Sequence, residues 1–405
     1  MEGPGFTSRP GADVTARHAI TGAALANCLG TDNGAVFERA FAGVDAFSPS
    51  SEYFSFPFST ALGLMPALAT EDRLACTPTR LAGVALASVR QLRPSVRAAV
   101  ERWGAQRIAY VFASSTGGLE CTERALVPDP RMPMHGDEFR YSDHGIDATS
   151  IAVAHYLGIG GVQMAVSTAC SSSFKALASA VRLIDHGLAD AVVVGGADSM
   201  CRTTVFGFHS LGLLAPTPTQ PFSRDRCGIT LGEGSAYVLI ERATDVSTPH
   251  AIAWLASTGA ASDAFHHTSP HPEGLGGQLC MRQALDRAGL APGQIDCVSA
   301  HGTGTKLNDA AEAVAVARVF ERAMPLTATK SMTGHTLGSA GLTSLVLAIE
   351  SLRRQEIPAT LRATHADELG VTVINQRTSA RLEHVIVNAF GFGGSNASVI
   401  VSRPS

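Results

Sequence analysis

One cysteine of the chain stands where a reactive thiol is expected. Cys170 lies in the segment Val166-Ser-Thr-Ala-Cys-Ser-Ser-Ser173, between a short apolar run and a stretch with helical spacing. The free N–H groups and the dipole at a helix start both favour a thiolate, so this position predicts a nucleophile with a lowered pKa. An isolated free cysteine is more often a buried structural residue, so the choice depends on the other motifs.

Two histidines follow apolar runs and stand beside glycines. His301 begins His-Gly-Thr-Gly-Thr (301–305), and His335 ends Lys-Ser-Met-Thr-Gly-His (330–335). Neutral imidazoles donate hydrogen bonds through Nε2, and two such donors at one carbonyl stabilise the enolate left when a malonyl group loses carbon dioxide. Because a lone histidine is more often structural, the prediction rests on the cysteine and both histidines together.

Two charged residues and a glycine turn are predicted to support this site. Lys330 is expected to give electrostatic support, paired with Glu312, although a surface ion pair is the alternative. The segment Asn-Ala-Phe-Gly-Phe-Gly-Gly (388–394) predicts a turn in which glycines permit close backbone approach. The N–H groups of Phe392 and Cys170 are expected to form an oxyanion hole, with the ring of Phe392 gating the cleft. An ordinary turn with core phenylalanines is the alternative.

Composition predicts a large folded enzyme. The 405 residues are 45% hydrophobic and 16% charged, which fits two packed domains or one duplicated α/β unit. The formal net charge of −4, without a basic stripe, argues against nucleic-acid binding. The chain has neither a signal peptide nor an 18-residue apolar run, so we expect a cytoplasmic protein with no membrane segment. Its eight cysteines form no C-x-x-C pair, which argues against a disulfide framework or a zinc site.

Two regions of the chain look like diverged copies of one plan. Each reads strand, small polar turn, long helix, strand and glycine turn, and this alternation predicts sheets with helices on their faces. The first copy contains a helix at 171–186 and the second a helix at 338–353. We therefore predict three parts, which are a flexible tail (1–16), a half with the nucleophile (17–245) and a half with both histidines (246–405).

Four motifs in this order resemble the β-ketoacyl–carrier-protein synthases of the elongating type. They are Ser-Thr-Ala-Cys-Ser-Ser-Ser (167–173), the two histidine segments at 301–305 and 330–335, and Phe-Gly-Phe-Gly-Gly (390–394). The likeness runs from about Ala19 to Val401. It implies an α/β thiolase fold, duplicated into five α-β-α-β-α layers and usually dimeric. It also implies an acyltransferase, a 3-oxoacyl-[acyl-carrier-protein] synthase, which condenses malonyl carrier protein with a cysteine-bound acyl chain.

The resemblance assigns roles to particular residues. Its Cys-His-His site and supporting Lys–Glu pair fall on Cys170, His301, His335, Lys330 and Glu312. Phe392 matches the gating phenylalanine and Phe390 the aromatic residue before it, while Thr116 is placed near the floor of the acyl pocket at the dimer contact. No metal or organic cofactor is implied beyond the phosphopantetheine arm of an acyl carrier protein.

Finer features bear on the pathway and the partner. Arg226-Cys-Gly228 stands where many relatives carry Arg-Asp-Gly. The segments 201–210 and 270–275 resemble type II polyketide ketosynthases that make polyenes, including the aryl-polyene kind. A fatty-acid elongation synthase of primary metabolism remains an alternative. A thiolase would need a second cysteine within 390–396, which has none. Cys170 argues against a non-catalytic partner resembling a chain-length factor, whereas a heterodimer with such a factor and a homodimer both remain open.

Overall fold

A computed structural model describes residues 18–66, 68, 79–126 and 140–404, apart from the side chains of residues 367 and 368. The flexible tail predicted for residues 1–16 lies outside the described residues. No helix in the described part of the chain is both long and apolar enough to cross a membrane.

The described residues form sixteen β-strands and ten α-helices. The strands are β1 (His18–Asn27), β2 (Ser48–Pro49), β3 (Ala61–Gly63), β4 (Ile108–Ala113), β5 (Gln163–Val166), β6 (Ala191–Asp198), β7 (Leu231–Gly232), β8 (Gly234–Arg242), β9 (Ala253–Ser262), β10 (Cys297–Ser299), β11 (Pro325–Thr327), β12 (Glu356–Ile357), β13 (Thr372–Val373), β14 (Thr378–Ser379), β15 (His384–Gly391) and β16 (Ser395–Ser402). The helices are α1 (Asn33–Phe41), α2 (Arg80–Trp103), α3 (Leu119–Leu126), α4 (Ile146–Leu157), α5 (Ser172–Asp185), α6 (Arg202–Ser210), α7 (Leu275–Ala288), α8 (Lys306–Phe320), α9 (Lys330–Thr333) and α10 (Ala340–Arg354).

The main sheet repeats one strand pattern on either side of its centre. Within the described residues its order is β13-β11-β10-β15-β16-β9-β1-β8-β6-β4-β5. On one side β1, β8 and β6 pair antiparallel, and β6, β4 and β5 pair parallel. On the other side β9, β16 and β15 pair antiparallel, and β15, β10 and β11 pair parallel. The predicted duplication is therefore present, and its halves join where β1 pairs with β9.

Helices cover both halves and fill the space between them. Helices α5 and α10 share one apolar core with strands of both halves. Helices α2 and α4 pack on the outer face of the first half, and α7 and α8 on that of the second. Every residue of α10 from Ala340 to Leu352 is buried, as expected for a helix enclosed on all sides. This gives the predicted α-β-α-β-α layers. The junction between the halves falls between β8 and β9, while a division at residue 245 stays a prediction.

The parallel strands of both halves end near one region of the molecule. Cys170 follows β5, His301 follows β10, His335 follows β11, and Phe392 follows β15. Ligands of α/β sheets commonly bind outside the carboxyl ends of such strands. The fold therefore brings residues that are far apart in sequence to a common cleft.

Candidate active site

A strained turn presents the cysteine. Ala169, the residue before Cys170, has φ of 52°, in the left-handed region that a non-glycine residue seldom adopts. The hydroxyl of Ser172 accepts the N–H of Thr168 at 2.8 Å and donates to the carbonyl of Ala169. Ser115 from the β4–α3 turn also donates to that carbonyl, at 3.3 Å. These bonds hold a conformation that costs on the order of 1–3 kcal/mol.

The pKa of the Cys170 thiol is higher than the sequence predicted. Burial raises its pKa to about 11, while the charge of Lys330 and the backbone N–H groups of Phe392 and Cys170 act in the opposite direction. The prediction of a lowered pKa was wrong because removing the thiolate from water outweighs the favourable effect of the helix start. The resting thiol is therefore protonated near neutral pH.

The structure brings both histidines to the cysteine. The sulfur of Cys170 and one ring nitrogen each of His301 and His335 all lie within 4.8 Å of one another, and the three residues are buried. The two imidazole rings are nearly perpendicular, with centroids 5.5 Å apart. Three groups on separate loops thus face one small volume.

Hydrogen bonds fix which nitrogen of each imidazole carries its proton. The N–H of Leu337 donates to Nδ1 of His335 at 3.0 Å, and the Lys330 ammonium lies 3.4 Å from Nδ1 of His301. Because both groups are donors, each Nδ1 must accept, and the proton of the neutral ring is at Nε2. Burial, followed by the charge of Lys330, holds the pKa of both imidazoles well below the usual value. Both rings are therefore neutral Nε2–H donors near neutral pH.

This arrangement fits a site that donates hydrogen bonds better than it fits a metal site. A cysteine with two histidines is a common ligand set for zinc, but a histidine ligand usually donates its second ring N–H to an acceptor. Here the second nitrogens of His301 and His335 face the donors Lys330 and Leu337. Each Nε2 consequently has a hydrogen where a metal would need a lone pair.

Lys330 and Glu312 were predicted as a supporting pair, and in the structure each forms hydrogen bonds with the backbone of His301. Both are fully buried, but they do not meet within 4.0 Å. Lys330 donates to the carbonyl oxygen of His301 at 2.6 Å, whereas the Glu312 carboxylate accepts the N–H groups of His301 and Gly302 at 2.8 Å. Burial raises the pKa of Glu312 and lowers that of Lys330. The two residues thus hold the backbone of His301 between them.

The glycine turn lies against the nucleophile. The backbone N–H groups of Phe392 and Cys170 act to lower the pKa of the Cys170 thiol. A Cβ atom added to Gly391 would lie 3.1 Å from the Thr168 carbonyl oxygen, so glycine permits the close approach of the two turns. The half-buried Phe392 ring packs against that of Phe208, with centroids 5.6 Å apart. This geometry fits the predicted oxyanion hole and places the Phe392 ring at the cleft, while its gating role stays a prediction.

Two cavities meet at the cysteine. One has a volume of about 470 Å³, contains His301, His335 and Phe390, and extends to Lys306 at the start of α8. The other has a volume of about 620 Å³ and contains Thr116. Cys170, Phe208, Leu211 and Phe392 line both cavities. The thiol therefore faces one cavity on the side of the histidines and another on the side of Thr116.

Sequence reasoning missed two buried residues beside this site. Asn388 donates to Glu312 at 3.0 Å and accepts from Ser398 at 2.7 Å, which orients the carboxylate under His301. Asp198 at the end of β6 accepts hydrogen bonds from the turn that contains Thr116. Asn388 lay inside a recognised motif, but Asp198 had no signal beyond its position after an apolar strand.

The fold and the site together define a condensing enzyme of the thiolase fold, in which a cysteine lies beside two neutral histidines. Residues 19–246 match the description "Beta-ketoacyl synthase, N-terminal domain" and residues 252–364 match "Beta-ketoacyl synthase, C-terminal domain". The chain therefore belongs to the beta-ketoacyl synthase family, and it is an acyltransferase.

Known relatives agree with this membership. A 3-oxoacyl-[acyl-carrier-protein] synthase 2 from Vibrio cholerae is 33% identical over 75% of this chain and 78% of its own. The protein of the same name from Coxiella burnetii is 28% identical over 96% of this chain and 98% of its own. A chain of the complex between the ketosynthase ApeO and its chain length factor ApeC from Xenorhabdus doucetiae is 33% identical with a TM-score of 0.86, and the match covers 98% of this chain and 100% of that one.

Proposed function

We propose that this ketosynthase extends an acyl chain held on Cys170 by two carbons taken from a malonyl group on an acyl carrier protein. The observation that carries this proposal is the approach of the Cys170 sulfur to two neutral imidazoles, all within 4.8 Å, at the junction of two cavities. One cavity suits the acyl chain, and the other suits the phosphopantetheine arm that delivers each thioester.

Acyl transfer to the cysteine comes first. The acyl thioester of a carrier protein enters through the cavity that contains the histidines, and the Cys170 sulfur attacks its carbonyl carbon. The N–H groups of Cys170 and Phe392 stabilise the oxyanion that forms. The carrier thiol leaves with the proton that the cysteine loses, and the acyl chain lies in the cavity beside Thr116.

Decarboxylation and condensation follow. The malonyl thioester carbonyl accepts hydrogen bonds from Nε2–H of His301 and His335, so loss of carbon dioxide leaves a stabilised enolate. The enolate carbon attacks the Cys170 thioester, and the thiolate leaves from the tetrahedral intermediate. The product is a β-ketoacyl carrier protein, and the Cys170 thiolate takes up a proton from solvent before the next cycle.

Lys330 and Glu312 support the chemistry without touching the reacting atoms. Their hydrogen bonds hold the backbone of His301 in place, and burial together with the charge of Lys330 keeps both imidazoles neutral. No metal or further cofactor is needed in this scheme, since the only prosthetic group is the phosphopantetheine of the carrier protein. A cytoplasmic location stays part of the proposal.

A second subunit is proposed to complete the acyl cavity. Strand β5 ends the described part of the sheet, and its residues Gln163, Met164 and Ala165 are exposed, which leaves an edge suited to pairing with another chain. The cavity beside Thr116 opens along α6, where Gly207, Ser210 and Leu211 are exposed. We propose a chain-length-factor subunit as the partner, as in the ApeO complex, with a second copy of this chain as the alternative.

The acyl chain is proposed to be a polyene. Helix α6 lies within the segment 201–210 that resembles polyene ketosynthases, and its Phe208 lines both cavities. Aromatic walls suit a flat conjugated chain. A saturated chain, as in primary fatty-acid synthesis, is the second candidate. The relatives from Vibrio cholerae and Coxiella burnetii are named 3-oxoacyl-[acyl-carrier-protein] synthase 2, and that name does not point to a polyketide.

Purification from the native host, followed by mass measurement and assay, tests these proposals. A complex of the 42.0 kDa chain with a different subunit of similar size, able to extend unsaturated acyl carrier proteins, is the expected result. A homodimer that extends only saturated chains would favour the fatty-acid alternative. If Cys170→Ala still formed β-ketoacyl product, the mechanism itself would be wrong.

A further inference from the structure

Asp198 is a buried carboxylate that the proposed mechanism does not use. It ends β6, has no exposed surface, and accepts hydrogen bonds from two separate turns. Within the described part of the chain it has no Lys, Arg or His within ion-pair distance. A buried carboxylate is costly unless hydrogen bonds stabilise it, so these donors are needed to keep it in place.

One oxygen of Asp198 holds the wall of the acyl cavity. Its Oδ1 accepts the Ser114 hydroxyl, the N–H of Ser115, and both the N–H and the hydroxyl of Thr116, at 2.8 to 2.9 Å. Ser115 in turn donates to the carbonyl of Ala169, beside the nucleophile. The carboxylate therefore fixes the turn that touches both the acyl cavity and the cysteine.

The other oxygen holds the turn that orients a histidine. Oδ2 accepts the N–H of Gly338 at 2.7 Å, and a Cβ atom added to Gly338 would lie only 2.9 Å from that oxygen. The preceding residue, Leu337, has φ of 51° and donates its N–H to Nδ1 of His335. The Asp198 contact thus fixes the peptide that follows a strained residue, and that residue sets the tautomer of His335.

We infer that Asp198 is a positioning residue whose two carboxylate oxygens separately hold the acyl-cavity turn and the His335 turn. This inference rests on the roles proposed for Cys170 and His335. Through these contacts one side chain aligns the group that carries the acyl chain with the group that stabilises the enolate.

The asymmetry of the two oxygens makes the inference testable. Asparagine has the shape of aspartate but only one acceptor oxygen. In Asp198→Asn that oxygen will occupy the Oδ1 position, where four donors converge, and the NH₂ group will face the N–H of Gly338. The His335 turn is released, while the Thr116 turn remains held.

The experiment separates the two partial reactions. Acylation of Cys170 by an acyl carrier protein is followed by intact-protein mass, and decarboxylation of malonyl carrier protein is measured in a Cys170→Gln background. Asp198→Asn is expected to lower kcat of decarboxylation at least tenfold without changing KM. It should not slow acylation, because the Asp198 charge that it removes raises the pKa of Cys170. Ser199→Ala is the matched control, because its buried hydroxyl has no hydrogen-bond partner among the described residues, and both reactions should be retained.

A second variant gives the reverse pattern. Ser114→Ala removes one donor from Oδ1 and none from Oδ2, so it should slow acylation and leave decarboxylation intact. Equal losses of both reactions in either variant, or no loss in Asp198→Asn, would overturn the assignment. If the wild-type chain performs neither partial reaction, the proposed function fails instead, and the two failures are distinguishable.

Discussion

Lys330 and Glu312 form hydrogen bonds with the carbonyl and the N–H of the same residue, His301. The Lys330 ammonium donates to the carbonyl oxygen of His301 at 2.6 Å, and Glu312 accepts the N–H of the same residue at 2.8 Å. The backbone of His301, from which the imidazole extends, cannot shift without breaking a charge-assisted hydrogen bond. Charge at Lys330 also acts on the cysteine, so this residue links the two halves of the reaction.

Replacing Lys330 should weaken the nucleophile. Lys330→Met keeps the length of the side chain but removes the largest influence that lowers the pKa of Cys170. A rise of about one pKa unit would slow alkylation of Cys170 by iodoacetamide roughly tenfold at a fixed pH. Peptide mass spectrometry measures this rate for Cys170 alone. Lys175→Met on α5 serves as the control, and equal rates in both variants would contradict the role given to Lys330.

The reactivity of the wild-type thiol should rise steadily with pH. With a pKa of about 11, the thiolate fraction of Cys170 increases roughly tenfold for each pH unit over the neutral range. Alkylation rates between about pH 6 and pH 9 check this, with the exposed Cys227 as an internal comparison. A plateau in the alkylation rate below about pH 8 would instead show that the pKa of Cys170 is lowered, as the sequence indicated.

The cysteine and the second histidine should separate the two chemical steps. Cys170→Gln removes the nucleophile and is expected to abolish acyl transfer while malonyl decarboxylation continues, because both Nε2–H donors remain. His335→Ala should remove decarboxylation and leave acylation of Cys170 measurable. Gas chromatography of carbon dioxide and intact mass of the acyl-enzyme record the two steps. Loss of both steps in each variant would indicate that the residues act structurally.

A large side chain at Thr116 should shorten the acyl chain that the enzyme accepts. Thr116 lines the 620 Å³ cavity together with Cys170, and a phenylalanine there would fill part of that space. Thr116→Phe is therefore expected to reduce extension of long acyl carrier proteins at least tenfold more than that of short ones. Thr378→Phe in the exposed strand β14, away from both cavities, is the matched control. An unchanged product profile would refute this placement of the pocket.

The Cys-His-His group should not act as a ligand set for a divalent transition metal such as Co²⁺. Because Leu337 and Lys330 direct donors at Nδ1 of the two histidines, each Nε2 carries a hydrogen and offers no lone pair. When Co²⁺ is added, we expect Cys170 to give no cobalt–thiolate charge-transfer band. The spectra of the wild type and of Cys170→Ala should therefore be the same. A band lost in that variant would show that the ring nitrogens can reverse their protonation.

Local patterns predicted much of the site, since each reactive group lies in a short motif after a strand. The helix expected at 338–353 is α10, Ala340–Arg354, and Cys170, His301 and His335 meet as predicted. Burial could not be read from the motif, and it reversed the expected pKa shift of Cys170. The sequence also did not show the separate hydrogen bonds of Lys330 and Glu312, because their geometry depends on how β10 and β11 pack.

Long-range pairing was the least predictable part of the fold. The alternation of strands and helices predicted a duplicated α/β plan, but nothing in the sequence indicated that β1 and β9 join the two halves into one sheet. Asp198 was missed for the same reason. Its role comes from two turns that lie 84 and 140 positions away in the chain and meet it only after folding.

The repeated strand order places different reactive groups on corresponding loops of the two halves. The loop after β5 carries Cys170, and the corresponding loop after β11 carries His335. Similarly, the loop after β4 carries Thr116, whereas its counterpart after β10 carries His301. In the proposed mechanism, the first half supplies the thiol that holds the acyl chain, and the second half supplies the imidazoles that stabilise the enolate. Either half without the other would lack part of the Cys-His-His group and could not complete the reaction.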